Sequence, residues 1–346
     1  MIAAVLPIQR PVDARLLVID AFGRISHGRR SGLIDVLRPG DLVVANDAAT
    51  LPASLAGRHE RTGEEIEVRL AARASLSPDD VATFSAVVFG AGDFQTPTER
   101  RAAPPVLMVG DRLALGPLRA TVTRLLDHPR FVSLAFDGSP DHIWAGLARH
   151  GRPIQYAHMV SALALWDVWT TFAGAPVAFE PPSAGFALDW NILEAMRERR
   201  LEFATITHAA GISSTGDEDL DARLPLDEPY VISAATARAI NRALDQRRRI
   251  VAVGTTVVRA LEHAAAGDGS VRPGPGLATQ RITAATRLRV VNAILSGVHE
   301  PTTSHYQLLM AFADRATLER ADETMNRLGF RTHEFGDSVL IERQLK

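Results

Sequence analysis

Between about residues 56 and 140 the chain changes its rhythm, and that change constrains the fold more than any other feature. Glu65-Ile66-Glu67-Val68-Arg69-Leu70 alternates polar and apolar residues with period two. Further short strand-like runs follow at 84–89, 106–109, 112–115, 119–125 and 131–136. Turn signals separate them: Thr62-Gly63, Gly90-Ala91-Gly92, Gly110-Asp111, Gly116-Pro117, His128-Pro129 and Asp137-Gly138. No long helical pattern interrupts the series. Short strands at this spacing predict a small antiparallel barrel.

On either side, strands alternate with helices. Residues 15–20 read as a strand. Asp41-Leu42-Val43-Val44-Ala45-Asn46 is apolar without alternation, the mark of a buried strand covered on both faces. Residues 33–38 are ambiguous between strand and short helix. Asp141 is expected to cap a helix over 143–150, and 161–172 is a further helix candidate. Asp189 is the expected cap of 190–200 and Ser233 that of 234–247. Strands are expected at 201–208 and 249–254, helices at 255–266 and 317–328, and a closing strand at 332–341. The 346 residues suit about two domains. The expected fold is therefore α/β (mixed, multidomain): a layered α/β domain from 1–55 and 151–346, with 56–150 inserted as the barrel.

Composition narrows the chemistry. Lys+Arg is 38 against Asp+Glu 40, a formal charge of −2, which is not the balance of a chain that grips nucleic acid by bulk charge. The pairs Arg29-Arg30, Arg100-Arg101 and Arg199-Arg200 and the run Arg247-Arg248-Arg249 are candidates for a local arginine patch, with solvated helix and loop faces as the plainer reading. Cysteine is absent, which removes disulfides, thiolate zinc, iron–sulfur clusters and a cysteine nucleophile. The single lysine is Lys346, a poor position for Schiff-base chemistry or a phosphate loop. No apolar run reaches about 18 residues, and the first residues lack a signal-peptide pattern, so the expectation is a cytoplasmic protein. The oligomeric state is not legible.

Several short stretches have the makings of a pocket. In Val253-Gly254-Thr255-Thr256-Val257-Val258-Arg259 a strand ends and a helix starts at once. Free helix-start amides and two hydroxyls there can hold an anion or a ribose hydroxyl, with Arg259 one turn on. The plain alternative is a threonine-capped turn. Asn46-Asp47 follows a buried strand, where ligands gather in open α/β sheets, although Asn-Asp also simply makes turns. His208 ends another strand and precedes Ala209-Ala210-Gly211-Ile212-Ser213-Ser214-Thr215-Gly216, a small loop that allows close backbone approach or serves as a connector. Pro181-Pro182-Ser183-Ala184-Gly185-Phe186 suits a pocket wall or a linker. His299-Glu300-Pro301-Thr302-Thr303-Ser304-His305 matches no standard zinc spacing, so no metal is assigned, and a helix start capped by Thr303 or Ser304 accounts for it.

Taken in order, these stretches resemble the S-adenosylmethionine:tRNA ribosyltransferase-isomerase family of queuosine biosynthesis. The shared landmarks include Pro39-Gly40-Asp41-Leu42-Val43-Val44-Ala45-Asn46-Asp47, Leu51-Pro52-Ala53, Pro182-Ser183-Ala184-Gly185, His208, Ala252-Val253-Gly254-Thr255-Thr256, Arg259-Ala260-Leu261-Glu262, His299, Pro301 and Phe335-Gly336-Asp337-Ser338-Val339-Leu340-Ile341. The resemblance implies an α/β domain with an inserted barrel. It also implies transfer and isomerisation of the ribosyl part of S-adenosylmethionine onto 7-aminomethyl-7-deazaguanine in tRNA. That reaction gives epoxyqueuosine with loss of adenine and methionine. The sulfonium acidifies the C5′ protons, so a positioned base can start the rearrangement. No metal is implied.

The chain departs from the family pattern at Ala48-Ala49, where the family has Thr-Arg, and at Phe186-Ala187-Leu188, where it has Leu-His-Phe. It departs again at Gly297-Val298-His299-Glu300-Pro301-Thr302, where an asparagine and a lysine are lost. Two alternatives stay open: a divergent paralogue that uses S-adenosylmethionine with a small-molecule acceptor or cleaves it without tRNA, and a non-catalytic nucleoside-binding protein. The expected base candidates are Asp47, His208 and His299. The expected binding residues are Asn46, Ser183, Gly185, Phe186, Gly211, Gly254, Thr255, Thr256 and Arg259.

Overall fold

The computed structural model describes residues 1–344 apart from 266, 268 and 301–303. The landmark Pro301, Thr302, the expected cap Thr303, the expected helix end Ala266 and Lys346 lie outside the described residues, as does the side chain of Ser304.

Nine strands form one sheet. In order across it they are Gly274–Ala278, Glu228–Ile232, Glu202–His208, Leu42–Asn46, Ile250–Val253, Ala293–Gly297, Ser338–Glu342, Arg15–Ile19 and Ile25–Arg29. The four from Glu202–His208 to Ala293–Gly297 run parallel, with Val43 opposite both Phe203 and Val251. Every residue of Leu42–Asn46 is buried. Its side chains alternate between two cores. Leu42 and Val44 pack with Ile250, Ala252 and Ile294 beneath the helices Ala234–Asp245, Thr255–Ala264 and Arg315–Leu328. Val43 and Ala45 pack with Val251, Val253, Leu33, Ile192 and Met196 on the opposite face. Burying each such side chain stabilises by about 1.5–3 kcal/mol, so a one-residue slip of this strand would exchange both cores.

The barrel is closed and wholly antiparallel. Its six strands are Ser54–His59, Glu65–Ala72, Thr83–Phe89, Arg112–Leu115, Leu118–His128 and Phe131–Phe136. Leu55, Val68, Phe84, Leu113, Val122 and Leu134 fill it, and Ile143 and Leu147 of the helix Pro140–His150 join the same core. Gly57 is required where two strands close in, because a Cβ there would meet the Ala114 carbonyl oxygen at 2.2 Å.

Asp189 and Ser233 cap their helices as expected, accepting from Ile192 N and Thr236 N. Four expectations change. The cap before Ile143 is Ser139, with Pro140 at the first helical position, and Asp141 sits inside the first turn. Residues 106–109 form no strand: Val106 and Val109 are exposed and only Leu107 enters the core. Residues 161–172 hold one 3-10 turn, Leu165–Val168, because only Leu163, Val168 and Thr170 find cover while Trp166 stands in solvent. The closing strand is split: Arg331–Thr332 pairs with Ile2–Ala3, a left-handed His333 (φ 70°) turns the chain, and Ser338–Glu342 then enters the large sheet.

Candidate active site

The parallel strands deliver His208, Asn46, Val253 and Gly297 to one edge of the sheet. Loops leaving such carboxyl ends are where open α/β sheets place ligands. A cavity opens there, with walls from residues 180–184, 210–213, 254–256, Gly297, His299 and Glu334. Segments far apart in the chain are thus brought to one place.

Gly254 makes the tight exit from its strand at φ 91°, a conformation that glycine alone adopts without strain. The helix Thr255–Ala264 follows directly, and Thr255 and Thr256 line the cavity, so the positive end of that helix faces it. Ser183, Gly211 and His299 also line it. Asn46 braces the arrangement from behind. Its Oδ1 accepts from the backbone of His208 (2.9 Å) and Ala48 (3.1 Å), and its Nδ2 donates to the His208 carbonyl (2.9 Å) and meets Thr256 Oγ1 at 3.5 Å.

Other expected residues take different places. Asp47 accepts from Thr207 Oγ1 at 2.7 Å and does not line the cavity. Gly185 and Phe186 form its backing: a Cβ on Gly185 would meet Thr170 Cγ2 at 2.8 Å, and the Phe186 ring stacks on Phe335 at 5.6 Å. Arg259 reaches the cavity wall, but its guanidinium is engaged internally by the Glu228 carboxylate and by the carbonyls of Leu226, Ala278 and Gln280. Glu228 accepts from Gly211 N with its other oxygen, at 2.6 Å. His208 is fully enclosed, with Nε2 3.5 Å from Glu228 Oε2 and its ring parallel to Tyr230. Burial, reinforced by the Arg259 charge, pushes its pKa down to about 3. Burial likewise lowers His299 to about 4. The His299 ring lies 3.7 Å from that of His305, whose Nε2 meets Ser296 Oγ at 2.6 Å.

The model of the queuosine biosynthesis protein family matches residues 1–341. The chain belongs to that family. It is similar to the S-adenosylmethionine:tRNA ribosyltransferase-isomerase of Pelobacter propionicus, at 31% identity over 95% of this chain and 93% of the relative. The enzyme of the same name from Methylobacterium radiotolerans is also 31% identical, over 96% and 92%. A crystal structure of S-adenosylmethionine tRNA ribosyltransferase from Thermotoga maritima is 22% identical and aligns with a TM-score of 0.52 over 98% of this chain and 96% of that one, which marks a shared fold.

In this member of the family the cavity also holds groups that sequence reasoning passed over. Glu180 lines it and is buried. Tyr156 Oη and the Ser213 amide (3.0 Å) both donate to Glu180 Oε1. Burial raises the Glu180 carboxyl to about 7, with the nearby Glu334 charge acting in the same direction and the donors opposing it. Glu334 Oε2 meets His158 Nε2 at 3.3 Å. His158, His333 and Glu334 bring three potential ligand atoms within 4.8 Å of one another, but the two rings stack in parallel at 4.2 Å and His158 already bonds the carboxylate. The one signal available for Glu180 is its position directly before Pro181-Pro182-Ser183, a stretch that suits a pocket wall or a linker.

Proposed function

We propose that this protein binds S-adenosylmethionine in the cavity at the carboxyl edge of the parallel strands. It then transfers and isomerises the ribosyl part onto 7-aminomethyl-7-deazaguanine in tRNA, giving epoxyqueuosine. The observation that carries the reading is the convergence of Ser183, Gly211, Gly254, Thr255, Thr256 and His299 on one cavity, in a chain whose relatives bear the name of that reaction. The helix start at Thr255 and Thr256 offers amides and hydroxyls to the methionine carboxylate or the ribose hydroxyls. Asn46 holds that helix start against the His208 strand, and Arg259 keeps the Glu228 wall in place. We assign the protein to the cytoplasm because its proposed substrate is tRNA; among the described residues no helix is long and apolar enough to cross a membrane.

The test is to incubate the protein with S-adenosylmethionine, with and without tRNA bearing the deazaguanine, and to identify products by mass spectrometry. Adenine and methionine release together with modified tRNA, only in the complete mixture, is the expected result. Adenine release without tRNA would favour the second reading, a small-molecule acceptor or outright cleavage. The formal charge of −2 and the internal engagement of Arg259, which leaves fewer cations for a polyanion, support that reading.

A further inference from the structure

Among the described residues, three carboxylates line the cavity: Glu180, Glu228 and Glu334. They differ in one decisive respect. Glu228 is paired with the Arg259 guanidinium and also accepts from Gly211 N, so both of its oxygens are occupied. Glu334 faces His158, and that contact holds its carboxyl below the usual range. Glu180 has neutral donors, Tyr156 and the Ser213 amide, and both reach Oε1. The Ser213 side chain also hydrogen-bonds this carboxylate, another neutral donor, and Glu180 lines the cavity where a ligand would sit. A buried carboxylate with no cation beside it is the more basic one, because nothing repays the lost hydration of its charge. The candidates outside the wall are less suited to take a proton from a bound molecule. Asp47 is engaged by Thr207, and His208 is sealed from the cavity.

We propose that Glu180 is the base that takes a C5′ proton from S-adenosylmethionine. The assignment rests on the reaction proposed above. The C5′–H bond breaks, its electron pair stays on C5′ beside the positive sulfur as an ylide, and the proton passes to the Glu180 carboxylate, leaving a neutral carboxylic acid. No oxidant or second reactant is consumed in this step. Tyr156 is a positioning residue. Its hydroxyl fixes Oε1, and its own titration is displaced upwards by burial and by the Glu180 charge. The charged groups around the pair are Glu334 on the same wall, Arg69 behind the Tyr156 ring at 5.6 Å, and the Glu228–Arg259 pair, Arg281, His299 and His305 on the cavity lining. A Glu180 carboxyl displaced to about 7 suits a base that works near neutral pH.

The experiment uses the full chain, S-adenosylmethionine carrying deuterium at C5′, and tRNA bearing the deazaguanine, in single turnover between pH 5.5 and 9. For the wild type the expected result is product that has lost one deuterium, with a rate that rises to a plateau through a midpoint near pH 7. Glu180→Gln is expected to slow the reaction by about 10²–10⁴-fold. Its affinity for S-adenosylmethionine, measured by calorimetry, should stay within about threefold, as this also shows that it is folded. Glu180→Asp is expected to recover part of the rate and a displaced midpoint. A Glu180→Gln or Glu180→Asp variant that keeps the wild-type rate and midpoint overturns the assignment while leaving the proposed reaction standing. A wild type that releases no adenine even with the tRNA removes the reaction itself, and the assignment with it.

Discussion

Asn46 holds the peptide of His208 at both ends: Oδ1 accepts its N–H and Nδ2 donates to its carbonyl, each at 2.9 Å. One buried amide thereby ties two neighbouring strands at the point where they leave the sheet, and its 3.5 Å approach to Thr256 Oγ1 links them to the helix start.

Replacing Asn46 by Ala takes the acceptor from the buried N–H groups of His208 and Ala48, at about 1–3 kcal/mol for each unmet group, while the His208 carbonyl keeps the Ala210 amide at 3.0 Å. We expect Asn46→Ala to lower the urea midpoint by an amount equivalent to about 2–4 kcal/mol, and to weaken S-adenosylmethionine binding because Thr256 loses its brace. An unchanged midpoint and unchanged calorimetric affinity would contradict the bracing role.

Arg259 and Glu228 form a buried pair whose members differ in what their loss exposes. Removing one partner of such a pair typically costs about 3–5 kcal/mol, since the other charge stays buried. Arg259→Met alone should therefore destabilise more than Arg259→Met combined with Glu228→Gln. Equilibrium unfolding of the two single variants and the double variant measures the coupling, and strict additivity would refute it.

His208 is held neutral, with its pKa near 3 against about 6.5 when unfolded. Between those values the unfolded chain binds a proton that the folded chain refuses, so the stabilising contribution is complete above about pH 6.5 and is lost as pH falls towards 3. Glu180 works in the opposite sense: its raised carboxyl costs stability as pH rises from about 4.5 to 7. Comparing wild type with His208→Gln isolates the histidine. The wild type should lose stability relative to the variant as pH drops from 6.5, and a constant difference would show that His208 is protonated in the folded protein.

Tyr156→Phe removes a donor that favours the charged form of Glu180. The Glu180 carboxyl should then become harder to ionise, and the rising limb of the single-turnover rate should move to higher pH with S-adenosylmethionine affinity little altered. A limb that stays in place, or moves towards acid, would count against the Tyr156–Glu180 contact setting the proton affinity.

Much of the architecture is legible in residue order because the governing signals are local. The uninterrupted apolar run at Leu42–Asn46 announces a strand covered on both faces, and the period-two pattern from Glu65 onward announces the barrel. Gly254-Thr255-Thr256 stands out for the same reason: a strand end, a glycine and a helix start are adjacent in the chain. Glu180, Tyr156 and Glu334 give no such signal. They come from irregular segments, and only the tertiary fold brings them together. The expected helix over 161–172 does not form because few of its side chains find cover, and the solvent exposure of Trp166 is a tertiary fact. The sequence leaves Arg259 looking like a free cation, because its carbonyl acceptors Leu226, Ala278 and Gln280 lie on segments beyond its own helix.

The order of strands across the large sheet has a consequence for synthesis. Leu42–Asn46 sits between Glu202–His208 and Ile250–Val253, so its first neighbour is translated roughly 150 residues later, after the whole barrel. At about 5–20 residues per second, a largely apolar segment waits on the order of 10–30 s beside the ribosome with both hydrogen-bonding edges bare. The barrel can close in that interval, while the half of the molecule that carries the chemistry stays open to aggregation until its last partners emerge.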